Sequence, residues 1–160
     1  MIVYHGSTEI VKKPSTSIGR KNLDFGNGFY VTDLREQAVS WANRPVNRSK
    51  KRWLNIYELN IEEAIKEYRY LKFPKYDFDW LEFVVKNRKG EELWRNYDII
   101  EGGIANDRVF NTIELYMAGL TPREDALERL RYEKPNNQLC LLNQELVDSC
   151  LTFTSAEEIF

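Results

Sequence analysis

The chain contains one histidine, His5, and two cysteines, Cys140 and Cys150, so its options for side-chain chemistry are few. His5 closes the run "IVYH", which is β-branched or aromatic and runs straight into Gly6 and Ser7, so it reads as a short strand ending in a turn. Further on, "LDFGNGFYVTD" (23–33) places Gly26 and Gly28 around an asparagine ahead of an aromatic pair, the outline of a phosphate loop. Two nucleotide chemistries can be set aside there. The "DFG" lacks the kinase catalytic loop and lysine strand that would give it magnesium, and the glycine pair lacks the third small residue of a dinucleotide fingerprint, because Val31 occupies that place. Serine hydrolysis has no GxSxG elbow. With no CxxC spacing and a single histidine, no metal site is expected, and the cysteines, set among aliphatic neighbours, read as buried free thiols. On its own residues, 26–28 is a bulge or tight turn before a strand, and His5 a hydrogen-bonded structural histidine.

The elements that must position these residues can be traced by periodicity. Strands are expected at 2–5, over "GFYVT", at 52–59, at 68–73, over "YDIIEGG", over "NQLCLL" and at the C-terminal end. Asp33 is the expected cap of a helix whose inner face carries Leu34, Ala38, Trp41 and Ala42, ended by Pro45. A brief helical turn is expected over "NIEEAIKE", and a longer helix with Phe78, Leu81, Val84 and Val85 on one face, ending at Gly90. Two more helices follow at 107–118 and 122–131, the second capped by Thr121 with Pro122 in first position. The stripe Trp80, Leu81, Val84, Val85 reads as core. Strands and helices are mixed without regular alternation, which predicts an α+β fold with a mainly antiparallel core.

At 160 residues the chain is expected to be one domain, 1–160, large enough for a core without staples. With hydrophobic residues at 42% and a net charge of -2, nothing in the balance points to disorder, a membrane or an overall polyanion partner. The opening "MIVYHGS" lacks a basic segment leading into a long apolar run, and no stretch approaches a membrane span, so a cytoplasmic protein is expected. The basic run "RPVNRSKKR" (44–52) reads as a solvated loop, with an acidic target, the phosphates of a ligand or nucleic acid as the other readings.

Taken together, "YHGS" (4–7) and "FGNGFYVTDLREQAVSWA" (25–42) resemble the first two motifs of ADP-ribosyltransferases of the diphtheria-toxin and poly(ADP-ribose) polymerase type. The third motif of that pattern, a strand opening on Asn-Glu, has its counterpart in "NNQLCLL", with Gln138 at the glutamate position. Over the whole chain, "NYDIIEGGIANDRVF" and "PNNQLCLL" included, the sequence looks closest to a bacterial family labelled domain of unknown function 3990, assigned to the same fold group.

The resemblance implies a split antiparallel sheet with flanking helices and NAD as co-substrate in the cleft between the halves. It implies that His5 hydrogen-bonds the adenosine ribose, that the Gly6 backbone grips the nicotinamide amide, and that Ser7 lies by the ribose. Tyr30 would stack on the nicotinamide ring, brought there by the turn at Gly26 and Gly28. The chemistry requires such a frame, because breaking the nicotinamide–ribose bond develops positive charge on the sugar. A glutamate at 138 would meet that charge with an anion, whereas Gln138 offers a dipole. Asp107, at the start of a predicted helix, is the candidate substitute; its structural alternative is an acid favoured by the helix dipole. The expected activity is mono-ADP-ribosyl transfer to a macromolecular acceptor, protein or nucleic acid. The alternatives are a binding module with a degenerate pocket and an NAD glycohydrolase. A bacterial setting would suit a toxin or phage-defence role, with a small antitoxin or regulatory protein as partner.

Overall fold

The computed structural model describes residues 1–18, 23–105, 107–133 and 136–160, without the side chain of Asp107. Among them are seven strands and six α-helices: β1 (Ile2–Ser7), β2 (Phe29–Val31), α1 (Arg35–Ala42), β3 (Arg52–Leu59), α2 (Ile61–Glu67), β4 (Tyr70–Lys72), α3 (Phe78–Arg88), β5 (Ile99–Gly102), α4 (Asp107–Met117), α5 (Arg123–Arg131), β6 (Gln138–Leu141), α6 (Gln144–Cys150) and β7 (Leu151–Ile159). Short 3-10 turns stand at Pro45–Asn47 and Leu93–Asn96.

The strands form two sheets. β1, β3 and β7 make an antiparallel sheet with β3 in the middle, and β2, β6, β5 and β4 make a second, in that order. An isolated bridge joins them. Tyr4 and Thr32 exchange backbone hydrogen bonds of 2.7 and 3.0 Å, so the middle of β1 leans on the residue that follows β2. The α+β class expected from the sequence is what is observed, with one departure from antiparallel order: β4 and β5 run parallel. Parallel neighbours need a crossover connection, and α3 supplies it.

Strand periodicity distributes the second sheet between two cores. Phe29, Val31, Ile99, Leu139 and Leu141 pack toward the first sheet and α6, with Val3, Tyr57, Leu59 and Val147. Their neighbours Ile100 and Cys140 point the other way, into Trp80, Leu81 and Val84 of α3 and Val109 and Ile113 of α4. The stripe on α3 is therefore core, as its spacing predicts, although Phe78 at its start is exposed. Both cysteines are buried and free.

Two caps and the extent of one helix differ from the sequence reading. Asp33 does not cap α1: its carboxylate accepts from Asn137 Nδ2 at 3.2 Å, and the Leu34 amide bonds instead to Thr32 Oγ1. Pro122, rather than Thr121, holds the cap position of α5. The turn expected over 60–67 is a full helix, α2, with the Asn60 side chain accepting from the Glu63 amide. Among the described residues no helix is long and apolar enough to cross a membrane.

Candidate functional site

Where β1 and β2 separate, a cleft of about 840 Å³ opens. It is lined by His5, Gly6 and Ser7 from β1, Gly28, Phe29 and Tyr30 at β2, Gln138 from the first position of β6, and flanking residues of the loops after β1 and α1. Residues separated by more than a hundred positions thus face one space. Gly26 does not line it, and the Asp107 side chain lies outside the described residues.

His5 is held as a neutral acceptor. Its Nδ1 lies 2.7 Å from the Tyr30 carbonyl oxygen, which can only accept, so the proton sits on Nδ1 and Nε2 keeps its lone pair. Burial lowers the pKa of the imidazole, the bond to the Tyr30 carbonyl opposing that shift in part. The ring also packs on Phe29, with centroids 4.5 Å apart.

Tyr30 is anchored through its hydroxyl, which donates to Gly26 O at 2.7 Å and accepts from the Phe25 amide at 3.2 Å. Burial, followed by the neighbouring Cys140 thiol, raises the phenol well above its ordinary pKa. It therefore stays protonated at neutral pH and acts as an oriented ring rather than as a proton acceptor. Gln138 is 5% exposed, and its Nε2 donates to Gly103 O at 3.4 Å.

The glycines answer to packing first. A Cβ on Gly6 would stand 1.9 Å from Ala38 O of α1, so β1 and the helix meet at a distance that excludes any side chain. Gly26 has φ +96 and faces the Trp94 ring, with 2.2 Å to the nearest ring atom from a Cβ position. Gly28 lies under β6. Each glycine has a structural reason independent of any ligand, and Gly6 and Gly28 also border the cleft.

Sequence reasoning missed Asn55. This side chain is fully buried on β3; its Nδ2 donates to His5 O at 3.3 Å and Glu9 O at 3.0 Å, and its Oδ1 accepts from the Val11 amide at 2.8 Å. It fastens the loop after β1 to the strand bearing His5. The alternation of β3 marks position 55 as inward, and a buried amide among apolar residues is the signal that was available. Arg88 was also missed: its guanidinium bonds Asp24 Oδ1 at 2.7 Å and covers Phe110 at 4.6 Å, forming the far wall.

A second cleft, of about 700 Å³, contains Glu101, which Tyr70, Lys72 and Asn137 hold. Glu101 pairs with Leu139 while Gln138 pairs with Gly102, so the two side chains leave opposite faces of the sheet. Glu101 cannot substitute for a carboxylate at 138. The described carboxylates on the first cleft are Glu9 and Asp24, and Asp24 is committed to Arg88. No cluster of three or more metal-binding side chains occurs among the described residues.

No match emerges among curated proteins or among solved structures. One family model does match, over residues 1–153, and its description is "Protein of unknown function (DUF3990)". With nearly the whole length aligned, the cleft residues His5 to Gln138 included, the chain belongs to the DUF3990 family.

Proposed function

We propose that this protein is an ADP-ribosyltransferase-like enzyme that binds NAD in the 840 Å³ cleft and transfers a single ADP-ribosyl group to a macromolecule. The observation that carries the reading is the convergence of the three resemblance motifs, through His5, Tyr30 and Gln138, on one cleft. The free Nε2 of a neutral His5 suits a ribose hydroxyl, which donates to it. Tyr30, fixed by its hydroxyl, presents a ring for an offset stack worth about 0.5–1.5 kcal/mol beyond burial.

Charge supports a dinucleotide. Lys12, Lys13, Arg44 and Arg88 line the cleft with Glu9 and Asp24, so four cations against two carboxylates leave an excess of two, in a chain whose net charge is -2. A pyrophosphate carries the two matching negative charges. In the reaction the C1′–N1 bond of the nicotinamide ribose breaks and its electron pair leaves with nicotinamide. C1′ becomes oxocarbenium-like, a lone pair of the acceptor bonds to it, and the acceptor's proton passes to solvent. Gln138 can accept a hydrogen bond from the 2′-hydroxyl and orient the sugar. It adds no charge.

That last property favours a second reading, a module that binds NAD or a partner without turnover, because the position facing the developing cation carries an amide. Labelled NAD incubated with protein and extract separates the outcomes. Transfer of label that is lost in Tyr30→Ala is expected; free ADP-ribose would identify a hydrolase, and intact NAD a binding module. If NAD does not raise the melting temperature, the pocket assignment fails.

A further inference from the structure

The mouth of the cleft carries an unusual share of the exposed apolar surface. Ile18 is 83% exposed, Val46 71%, Phe110 49% and Ile10 43%, and all four line this one cleft. Isolated exposed aliphatic residues need no explanation, but several gathered around a concavity mark a contact surface. Among them stand Lys12, Lys13 and Arg44, all exposed, none of which makes an ion pair among the described residues.

We infer that this rim is a docking surface for a polypeptide segment that combines aliphatic side chains with acidic ones. The apolar tips decide against nucleic acid. Single strands bind by stacking bases on open aromatic faces, whereas three of the four exposed apolar residues here are aliphatic, and one face of Phe110 is covered by the Arg88 guanidinium at 4.6 Å. The aliphatic tips fit the apolar centre of a protein contact, with cations beside them that select Asp or Glu. The backbone bearing Ile10 and Val46 is pre-ordered. Asn55 and Tyr57 hold the loop after β1 by bonds to Glu9 and Val11, including Tyr57 Oη to Val11 O at 2.6 Å, and α1 leads directly into the turn bearing Val46. Little ordering cost would fall on this side of the contact.

This inference rests on the proposed function only in treating the cleft as the working site. Because the partner's carboxylates and a bound pyrophosphate would compete for the same cations, docking is strongest on the NAD-free protein. The test is selection of a displayed library of random twelve-residue peptides on that protein, followed by affinity measurement of the enriched peptides. Enrichment of Leu, Ile or Val together with Asp or Glu is expected. So is an affinity loss of at least tenfold in Val46→Asp and in the double variant Lys12→Glu, Lys13→Glu, with no change in Ile65→Asp, whose site is exposed but outside the cleft. Basic or featureless peptides, equal binding by the variants, or tighter binding of a thymidine 20-mer at low salt would each overturn the inference. The melting shift with NAD is measured separately, so failure there removes the donor reading and leaves the peptide result to stand or fall alone.

Discussion

Gln138→Glu is the perturbation that most directly tests the proposed chemistry. The new carboxylate would begin β6 at a site 5% exposed, facing Gly103 O across the 3.4 Å that Gln138 Nε2 now spans. Two effects follow with opposite consequences. A neutral hydrogen bond contributes about 0.5–1.5 kcal/mol and one to a charged group about 1.5–3 kcal/mol, so ionising the acceptor of the 2′-hydroxyl is worth roughly tenfold in rate. Because the charge also opposes the developing cation, tenfold is the lower bound. The cost is structural: Gly103 O keeps Trp80 Nε1 at 3.2 Å but meets a carboxylate in place of its second donor, and that carboxylate is desolvated, for a destabilisation of about 1–3 kcal/mol. Desolvation raises the carboxyl pKa, so the variant's stability is greatest below the unfolded value of about 4.3 and declines as pH rises through the folded value. The rate runs the other way, increasing as the group ionises. Nicotinamide release followed across pH 5–9, with melting curves at each pH, resolves both trends. A variant that still binds NAD but turns it over no faster at any pH would show that the group at 138 does not face the reacting sugar.

Three further outcomes are expected. Gly6→Ala forces a Cβ to within 1.9 Å of Ala38 O, a backbone atom that cannot swing aside. Overpacking of this kind costs about 3 kcal/mol, or roughly 6–12 °C in melting temperature, and a shift below 2 °C would contradict the close approach of β1 and α1. Tyr30→Phe removes the bonds to Gly26 O and the Phe25 amide and should lower stability by about 1–2 kcal/mol while keeping the NAD-dependent melting shift, since the ring remains; loss of that shift would assign the role to the hydroxyl. Asp98, bonded first by the Arg69 side chain and also by the Arg69 amide and Asn143, has its carboxyl held down at about 2. Because the Arg69 guanidinium is 61% exposed, solvent screening reduces the contribution of this depressed value to about 1 kcal/mol, present above pH 4 and lost as pH falls through 2, so Asp98→Asn should flatten acid unfolding in that window, and an unchanged pH profile would rule the contribution out.

Elements whose side chains alternate or recur at fixed spacing were the legible part. β3 occupies 52–59 and α3 spans the Phe78–Val85 stripe because a half-buried strand and a one-sided helix each leave a period in the residues. Capping was read less well at α1, where tertiary contact decided the outcome: Asp33 was drawn to Asn137, more than a hundred positions away, and nothing local in "VTDLRE" announces it. The parallel pairing of β4 and β5 was invisible for a similar reason, since strand composition carries no direction. At the cleft, His5, Gly6, Ser7, Gly28, Tyr30 and Gln138 could be named beforehand because they lie in short contiguous peptides. Asn55 was marked only by its inward place in the alternation of β3, and Arg88 and the apolar rim were not marked at all, because each is contributed by an element with its own structural reason to exist.

That division bears on how the cleft is built. Tyr4 and Thr32 clamp the two sheets together at one level, and the next residue back from Thr32 but one, Tyr30, receives the His5 Nδ1–H through its carbonyl. Thr32 also donates through Oγ1 to Asn137 O at 2.7 Å, with Gln37 of α1 bonding the same oxygen. Asn137 immediately precedes Gln138. The strand end carrying His5, the edge strand carrying Tyr30 and the start of β6 are therefore tied by hydrogen bonds that involve no ligand. A constellation held this way is pre-organised, so binding need not order it and a bound molecule meets fixed partners. Thr32→Val, which keeps the shape and removes the hydroxyl, should leave the Tyr4–Thr32 backbone bridge in place while removing one of the bonds that hold Asn137, with the Gln37 bond remaining. Because the buried hydroxyl also accepts from the Leu34 amide and Gln37 Nε2, the expected result is a stability loss of about 2–3 kcal/mol accompanied by a disproportionate weakening of the NAD-induced shift. Equal shifts in wild type and variant would mean that the site is not held through Thr32.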